Sequence, residues 1–174
     1  DDGPGRWALV VGRLDPWKRM DLAIEGAAAG GFRLVIAGSG PDEERLRKVA
    51  ARTGADVDFR GAVSDDDLLA LYAGCGAVLF TPADEDYGYI ALEAFLSKKP
   101  VVTCTDSGGP LEFVVDGDTG RVAPPSGAAV GEAAAALLAA PETARRMGER
   151  GYDAVRGISW DAVVSSLLRA GGLG

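Results

Sequence analysis

The strongest constraint on this chain is the regular order in which short apolar runs, glycine-containing turns and helical patterns follow one another. Each apolar run has the length and unbroken character typical of a strand covered on both faces. The runs are Trp7–Gly12, Leu34–Ala37, Val57–Phe59, Ala77–Phe80, Val101–Thr103 and Gly120–Ala123. Because helical patterns separate most of them, the sequence predicts an α/β fold with a doubly wound, Rossmann-like parallel sheet of about six strands and helices on both faces.

Start signals place the helices between these runs and predict a helical C-terminal part. Ser64 is a typical N-cap, and Asp65–Asp67 follow it in the first turn, where the helix dipole favours anions. Pro141 fits the first turn of a helix in the C-terminal part. Ser159 is the expected N-cap of a last helix that contains Trp160.

Length and charge limit the classes of function. Residues 1–174 are enough for one domain with a core, and 47% of them are hydrophobic. The net charge of −8 argues against a nucleic-acid partner, because binding many phosphates requires a basic face. A mononucleotide requires only one or two local cations. The chain contains no histidine, which excludes histidine-based acid–base catalysis and most zinc sites from it.

The expected location follows from the terminus, the cysteines and the hydropathy pattern. Asp1–Gly5 is typical of a linker, and the lack of an initiator Met suggests a processed chain or a piece of a longer one. We expect Cys75 and Cys104 to be buried, reduced thiols rather than a disulfide. No apolar run approaches the ~20 residues that span a bilayer. We therefore expect a cytoplasmic protein, with peripheral membrane association only through a further domain.

The unusual residues cluster in the turns that follow the predicted strands. These turns are Gly12-Arg13, Gly38-Ser39-Gly40, Arg60-Gly61, Glu85–Gly88 and Ser107-Gly108-Gly109. The opposite turns, such as Ala29–Gly31, carry nothing comparable. Because ligands of open parallel sheets bind at the carboxyl ends of the strands, the pattern predicts a ligand site at this edge.

One predicted helix, from Gly88 to about Ser97, contains a carboxylate among apolar residues. The helix is apolar nearly all round, which predicts that it is buried. Glu93 in its second turn would then be a buried carboxylate that needs donors. Its partner is a ligand in one interpretation, and Arg13 or Lys18 in a structural ion pair in the other.

Two motifs in this region resemble the retaining glycosyltransferases of family 4, which have the GT-B fold. They are Glu-x7-Glu, formed by Glu85 and Glu93 with Gly88 between them, and Gly-Gly-x-x-Glu, formed by Gly108, Gly109 and Glu112. The resemblance covers nearly the whole chain and implies the C-terminal, donor-binding domain of a two-domain enzyme. The N-terminal acceptor-binding domain would lie upstream, and this domain alone would be inactive. Such enzymes move a hexose-type sugar from a nucleoside diphosphate to an acceptor hydroxyl, without a metal or other cofactor.

The family motif Gly-Arg-x-x-x-x-Lys is matched by Gly12, Arg13 and Lys18, which implies contacts with the donor diphosphate. A fork donor and a point cation can neutralise a diphosphate together. The structural alternative is two solvated cations near a helix start. Arg19 stands where the family usually has glycine.

The resemblance assigns the two glutamates to different parts of the donor. Glu93 would accept hydrogen bonds from both ribose hydroxyls, and Glu85, the catalytic candidate, would face the transferred sugar near its anomeric centre. The alternative for Glu85 is an ordinary acidic loop residue. Backbone N–H groups of Asp86, Tyr87, Gly88 and Tyr89 would lie beside phosphate or sugar oxygens at a helix N-terminus. Asp86 and Tyr87 depart from the commoner family residues.

The remaining candidates are glycines and one arginine. Gly108 and Gly109 would let their loop approach the sugar closely, or else form a plain tight turn. Glu112 is a candidate ligand or a stabilising acid in a first turn. The base would lie near the turn of Gly38–Gly40, with Arg60 either stacked on it or simply exposed.

Three other interpretations remain open at this stage. A sugar-nucleotide epimerase could share the architecture, although this histidine-free domain lacks the usual acid–base groups. A non-catalytic nucleotide-binding module would bind without transfer. A dinucleotide-binding domain is less favoured, because Gly38-Ser39-Gly40-Pro41 lacks the third glycine of Gly-x-Gly-x-x-Gly.

Overall fold

The part of the chain that the structure describes forms the predicted α/β fold, with six strands in one sheet. A computed structural model describes residues 5–159 together with Val164 and Leu168. The linker predicted at the N-terminus falls mostly outside these residues, and so does the last helix predicted around Trp160. The strands are β1 (Trp7–Val11), β2 (Arg33–Ala37), β3 (Val57–Gly61), β4 (Ala77–Leu79), β5 (Val101–Cys104) and β6 (Gly120–Ala123).

The sheet is parallel throughout, in the order β3-β2-β1-β4-β5-β6. Ala8 in β1 pairs with Leu34 of β2 on one side and with Ala77 of β4 on the other. The chain winds outward from β1 to β3 and then returns to the other side at β4. The switch point of this doubly wound sheet therefore lies between β1 and β4, where loops diverge and leave a crevice.

Helices follow the strands and cover both faces of the sheet. Their bounds are α1 (Met20–Gly30), α2 (Glu43–Thr53), α3 (Asp65–Gly74), α4 (Tyr89–Leu96), α5 (Gly127–Ala139) and α6 (Pro141–Val155). Short 3-10 turns occupy Pro16–Lys18 and Gly109–Glu112. The start signals predicted at Ser64 and Pro141 are confirmed, because Ser64 Oγ accepts a hydrogen bond from Asp67 N at 3.2 Å and Pro141 begins α6.

Two hydrophobic cores lie on opposite faces of the sheet because successive strand side chains alternate. In β1, Ala8 and Val10 join the core beneath α1, α2 and α5, whereas Leu9 and Val11 join the one beneath α3 and α4. Glycines allow α1 and α5 to pack closely: a Cβ on Gly26 would lie 3.0 Å from the backbone nitrogen of Gly131.

The prediction that α4 is buried all round is wrong. Ala91, Ala94 and Phe95 face the core, but Tyr89 is 65% exposed and Leu96 is 54% exposed. The helix packs one face against the sheet and α6, and its other face lies at the surface beside the ligand edge. Glu93 is on that exposed side, so the expectation of a buried carboxylate is also wrong.

The two cysteines are free and buried, as predicted. Burial raises the pKa of the Cys75 thiol to about 12 and that of the Cys104 thiol to about 11. Separately, none of the helices in the described part of the chain is long and apolar enough to cross a membrane.

Candidate active site

Two of the predicted site residues meet at the switch point. Lys18 ends the 3-10 turn that follows β1, and Glu85 lies in the loop that follows β4. The Lys18 Nζ donates to Glu85 Oε2 in a hydrogen-bonded ion pair, and both side chains are about three-quarters buried. Lys18 Nζ also lies 5.7 Å from the centre of the Phe80 ring. A cation and a carboxylate from different halves of the sheet therefore face the same crevice.

Backbone hydrogen bonds join the Glu85 loop to the loop that follows β5. Glu85 N donates to Ser107 O at 2.9 Å, and Gly109 N donates to Glu85 O at 2.7 Å. A Cβ on Gly108 would lie 2.7 Å from Glu85 O, and one on Gly109 would lie 2.4 Å from Asp86 O. The close approach that requires these glycines is thus between two protein loops. This contact fixes the position of the Glu85 backbone.

The N-terminus of α4 opens beside these loops. Its N-cap is Gly88 at φ +84°, which has no side chain to bond the first-turn N–H groups, and no acidic residue occupies the first turn. A Cβ at Gly88 would lie 2.7 Å from Pro110 Cγ, so this turn requires glycine for space as well as conformation. The Tyr87 ring packs edge-on against Tyr89 and Phe113. The arrangement leaves helix-dipole donors near the switch point.

Glu93 is held by a tyrosine that the sequence analysis did not assign to the site. Tyr72 in α3 is 2% exposed, and its hydroxyl donates to Glu93 Oε2 at 2.8 Å. Burial, and then the neighbouring carboxylate, raise the pKa of Tyr72, so its hydroxyl stays protonated as a donor. The suggested ion-pair partners of Glu93 are engaged elsewhere, Arg13 with Asp15 at 2.6 Å and Lys18 with Glu85.

An open groove of about 400 Å³ lies on the β2–β3 side of the switch point. Gly12, Arg13, Gly38, Ser39 and Val63 are among its lining residues. Packing within the protein already requires glycine at position 38, because a Cβ there would lie 1.8 Å from Gly12 O. The first two ligand-side turns therefore pack directly on each other beneath the groove.

Arg60 and Glu112 lie at the margin of this edge. Arg60 is absent from the groove lining, is half-exposed and pairs with Asp58 at 2.8 Å. Glu112 is an exposed residue of the 3-10 turn. Within residues 5–159 and the two isolated C-terminal positions, no group of three or more cysteine, aspartate or glutamate side chains could hold a metal ion.

Arg19, the departure from the family pattern, is a central residue of this edge. Its guanidinium donates to both oxygens of Asp106, at 2.8 and 2.7 Å, and to the carbonyl oxygens of Thr81 and Pro82. These hydrogen bonds lower the pKa of Asp106 below its usual value. Sequence reasoning identified Arg19 only as a mismatch, because its partners lie 62 or more positions away.

Comparisons with known proteins agree with this geometry. Residues 2–154 match the model of the family described as Glycosyl transferases group 1. The D-inositol 3-phosphate glycosyltransferase of Corynebacterium glutamicum (strain R) is 32% identical over 171 residues, which cover 90% of this chain and 41% of that protein. A GDP-mannose-dependent phosphatidylinositol dimannoside mannosyltransferase of Mycobacterium tuberculosis is 32% identical over 163 residues, with the same two coverages.

Solved structures share the fold at low sequence identity. Anabaena HepE in complex with UDP and glucose matches with a TM-score of 0.84 and 21% identity, over 96% of this chain and 48% of that chain. The C-terminal domain of a group 1 glycosyl transferase (LpcC) from Francisella tularensis matches with a TM-score of 0.76 and 22% identity, over 88% of this chain and 86% of that one.

This chain therefore spans less than half of the length of these two curated relatives. The family model covers most of the chain, and the sheet, its switch point and the two glutamate motifs occur together in it. The chain belongs to the group 1 glycosyltransferases.

Proposed function

We propose that this chain is the donor-binding, C-terminal domain of a retaining glycosyltransferase that moves a hexose-type sugar from a nucleoside diphosphate to an acceptor hydroxyl. The observation that carries the proposal is the meeting of Lys18, Glu85 and the α4 N-terminus at the switch point between β1 and β4. A nucleoside diphosphate sugar needs a cation and N–H donors for its diphosphate and a carboxylate for its hydroxyls. The crevice offers each of these.

The diphosphate binds between Lys18 and the first turn of α4. Arg13, whose side chain is 71% exposed, can swing toward the same anion from the adjacent turn. The N-cap glycine and the lack of a first-turn acid leave the helix N-terminus ready for phosphate oxygens. Together these groups stabilise the charge that develops on the leaving diphosphate, which is the role a divalent cation fills in other transferases.

The nucleoside lies on the Glu93 side and in the groove that Gly12 and Gly38 line. A carboxylate with two acceptor oxygens suits the vicinal ribose diol, and Tyr72 occupies one oxygen while orienting the group. Because Glu93 is exposed at the surface of α4, a ligand can reach its carboxylate. The groove is open, and the base lies against its lining of Gly12, Gly38 and Val63.

The sugar lies on the Glu85 side, beyond the diphosphate. Glu85 is fixed by two backbone hydrogen bonds and carries the catalytic role at the anomeric centre. Asp84, Glu85 and Asp86 line an open cavity of about 450 Å³ together with Trp17 and Ala83. Carboxylate oxygens there accept hydrogen bonds from sugar hydroxyls and repel a second anion, so the acidic side suits the neutral hexose.

The acceptor is held by a separate domain. Two findings support this proposal: the chain spans 41% of the two curated relatives, and a solved C-terminal domain matches it over 86% of that domain. Positioning two substrates against each other contributes many powers of ten in rate. We therefore expect the 174-residue chain alone to bind donor but to transfer no sugar.

A thermal-shift panel tests the proposal. The chain is unfolded in EDTA with UDP, GDP, ADP or TDP, each compared with its nucleoside. A ligand at about 100 times its Kd should stabilise by ~2.7 kcal/mol. Stabilisation by at least one diphosphate, retained in EDTA, supports the proposal. If no diphosphate stabilises the chain, or if stabilisation requires Mg²⁺ or Mn²⁺, the proposal is wrong.

A further inference from the structure

Three separate loops at the ligand edge meet on the side chain of Arg19. This residue directly follows Lys18 and is the N-cap of α1, with φ at +46°. Its Nε donates to Thr81 O at 3.0 Å, and its Nη2 donates to Pro82 O at 2.6 Å. Its two terminal nitrogens also bond both carboxylate oxygens of Asp106. One guanidinium thus ties the loop after β1 to the loops after β4 and β5.

The contacts use the planar fork of arginine in a way that lysine cannot copy. The Arg19 guanidinium donates four hydrogen bonds in fixed directions, two to a carboxylate and two to backbone carbonyl oxygens. The Arg19 side chain is only 21% exposed, so these bonds are partly shielded from water. In return, Thr81 Oγ1 donates to Arg19 O at 3.1 Å, which fixes the backbone that carries Lys18.

The side-chain contacts of Arg19 offset an unfavourable backbone conformation, in which φ is +46°. A positive φ is unfavourable for a non-glycine residue and favourable for glycine, the residue that the resembled family usually has here. Arginine keeps this strained conformation while its side chain makes the four contacts. Replacement by glycine therefore removes the contacts and relieves the strain in the same variant.

We propose, on the basis of the donor site proposed above, that Arg19 is a positioning residue that sets the separation of Lys18 and Glu85 by clamping their two loops through Asp106, Thr81 and Pro82. The clamp acts on the donor through these neighbours and does not touch it. Asp84 N donates to Asp106 O at 3.0 Å, so the Asp106 loop passes the constraint directly to the segment that carries Glu85. Because the three loops are already ordered, binding of the diphosphate and the sugar does not cost the free energy of ordering them.

The test compares Arg19→Gly, Arg19→Lys and Asp106→Asn with a matched control, Asp118→Asn. Asp118 is 52% exposed and pairs with Arg150 at 2.7 Å, and Asp106 is 48% exposed and pairs with Arg19 at the same distance. The Asp118 pair joins α6 to the loop before β6, away from the ligand edge. Each asparagine variant therefore removes an arginine–aspartate ion pair with a similarly exposed aspartate, one at the ligand edge and one away from it. The Asp106 pair has two hydrogen bonds and the Asp118 pair has one.

Two readouts are taken on the full 174-residue chain. The first is amide hydrogen exchange without ligand at Asp84, Glu85 and Gly109. The second is calorimetric affinity for UDP and UDP-glucose, and for GDP and GDP-mannose, each beside the plain nucleoside. A merely structural role would lower the thermal midpoint but would leave the ratio of diphosphate to nucleoside affinity, measured on folded protein, unchanged.

The clamp predicts that Arg19→Gly speeds exchange at these three amides by about tenfold or more. It also predicts that the diphosphate affinity falls by about tenfold, with nucleoside affinity unchanged. Arg19→Lys should restore part of the affinity, Asp106→Asn should act in the same direction, and Asp118→Asn should change neither readout. Unchanged exchange, or an unchanged diphosphate-to-nucleoside ratio in Arg19→Gly, overturns the proposal. A wild-type chain that binds neither UDP nor GDP overturns the proposed function, and the positioning role with it.

Discussion

Lys18 and Glu85 lie 67 positions apart in the sequence and form an ion pair across the switch point of the sheet. In the unliganded domain each satisfies the charge of the other, so neither is left unpaired in a partly buried crevice. A diphosphate that binds Lys18 competes with the Glu85 carboxylate for the charge of the ammonium group. We infer that this competition weakens the hold of Lys18 on Glu85 and makes Glu85 more available to sugar hydroxyls.

Replacing Lys18 by alanine should weaken nucleoside diphosphate binding much more than nucleoside binding. A charge-assisted hydrogen bond contributes ~1.5–3 kcal/mol, which corresponds to roughly 10- to 100-fold in Kd. Calorimetry measures both ligands. Lys48→Ala is the matched control, since Lys48 pairs with Glu44 at 2.6 Å on the exposed side of α2. Equal losses for the nucleoside and its diphosphate would place Lys18 away from the phosphates.

Glu85→Gln should separate the sugar from the nucleotide. It removes the acceptor charge that competes for Lys18, so affinity for the plain diphosphate should stay the same or rise slightly. The additional affinity of the sugar conjugate should fall by ~1 kcal/mol or more, because a charged acceptor is lost. Competition binding of UDP against UDP-glucose, or of GDP against GDP-mannose, measures the difference. A large loss of plain diphosphate affinity would assign Glu85 to the phosphate side.

Glu93→Gln should weaken ribose-containing ligands by ~1–3 kcal/mol and hardly affect a 2′,3′-dideoxy analogue. Tyr72→Phe should show the same selectivity with a smaller loss of ~0.5–1.5 kcal/mol, because it leaves the carboxylate in place without its orienting donor. Tyr152→Phe on α6 is the control for loss of a hydroxyl. If Glu93→Gln does not alter the preference for ribose over dideoxyribose, the carboxylate serves the structure only.

The fold was predictable from local patterns because each βα unit repeats them. The unbroken apolar run of β1 and the N-cap at Ser64 each need only neighbouring residues to be recognised. The burial of α4 was not predictable in this way. Its composition is apolar on every side, but which sides are covered depends on the neighbours that pack against it, and nothing in the described part of the chain covers Tyr89 or Leu96 fully.

The candidate site was predictable where a motif is local and not where partners are distant in sequence. Glu85, Glu93 and Lys18 stood out through spacing, and their proposed ligand roles stay predictions. Tyr72 resembled an ordinary core residue of α3, since only its hydroxyl reaches Glu93. From the sequence, glycine at positions 108 and 109 could serve either a close approach to the sugar or a tight turn. In the structure, the close approach of two protein loops accounts for both Gly108 and Gly109.

The two thiols should resist alkylation in the folded protein at pH 8, because burial raises their pKa values to about 12 for Cys75 and about 11 for Cys104. Iodoacetamide labelling with and without urea measures this protection. A raised folded pKa stabilises the protein fully below the unfolded value, about 8.5. That contribution is lost as pH rises through the folded values. The free energy of unfolding should therefore fall between pH 9 and 11, and less steeply in Cys75→Ala. Rapid labelling of both thiols in folded protein would contradict their burial.

Mapping a bound nucleotide by NMR tests the central claim most directly. The ¹⁵N-labelled chain is titrated in EDTA with whichever of UDP or GDP stabilises it more. The account predicts amide shifts at Arg13, Lys18, Gly38 and Tyr89, on the ligand edge, with none at Gly31 or Gly54 in the turns of the opposite edge. Shifts centred on Gly31 and Gly54, or spread evenly over both edges, would contradict a donor site at the switch point between β1 and β4.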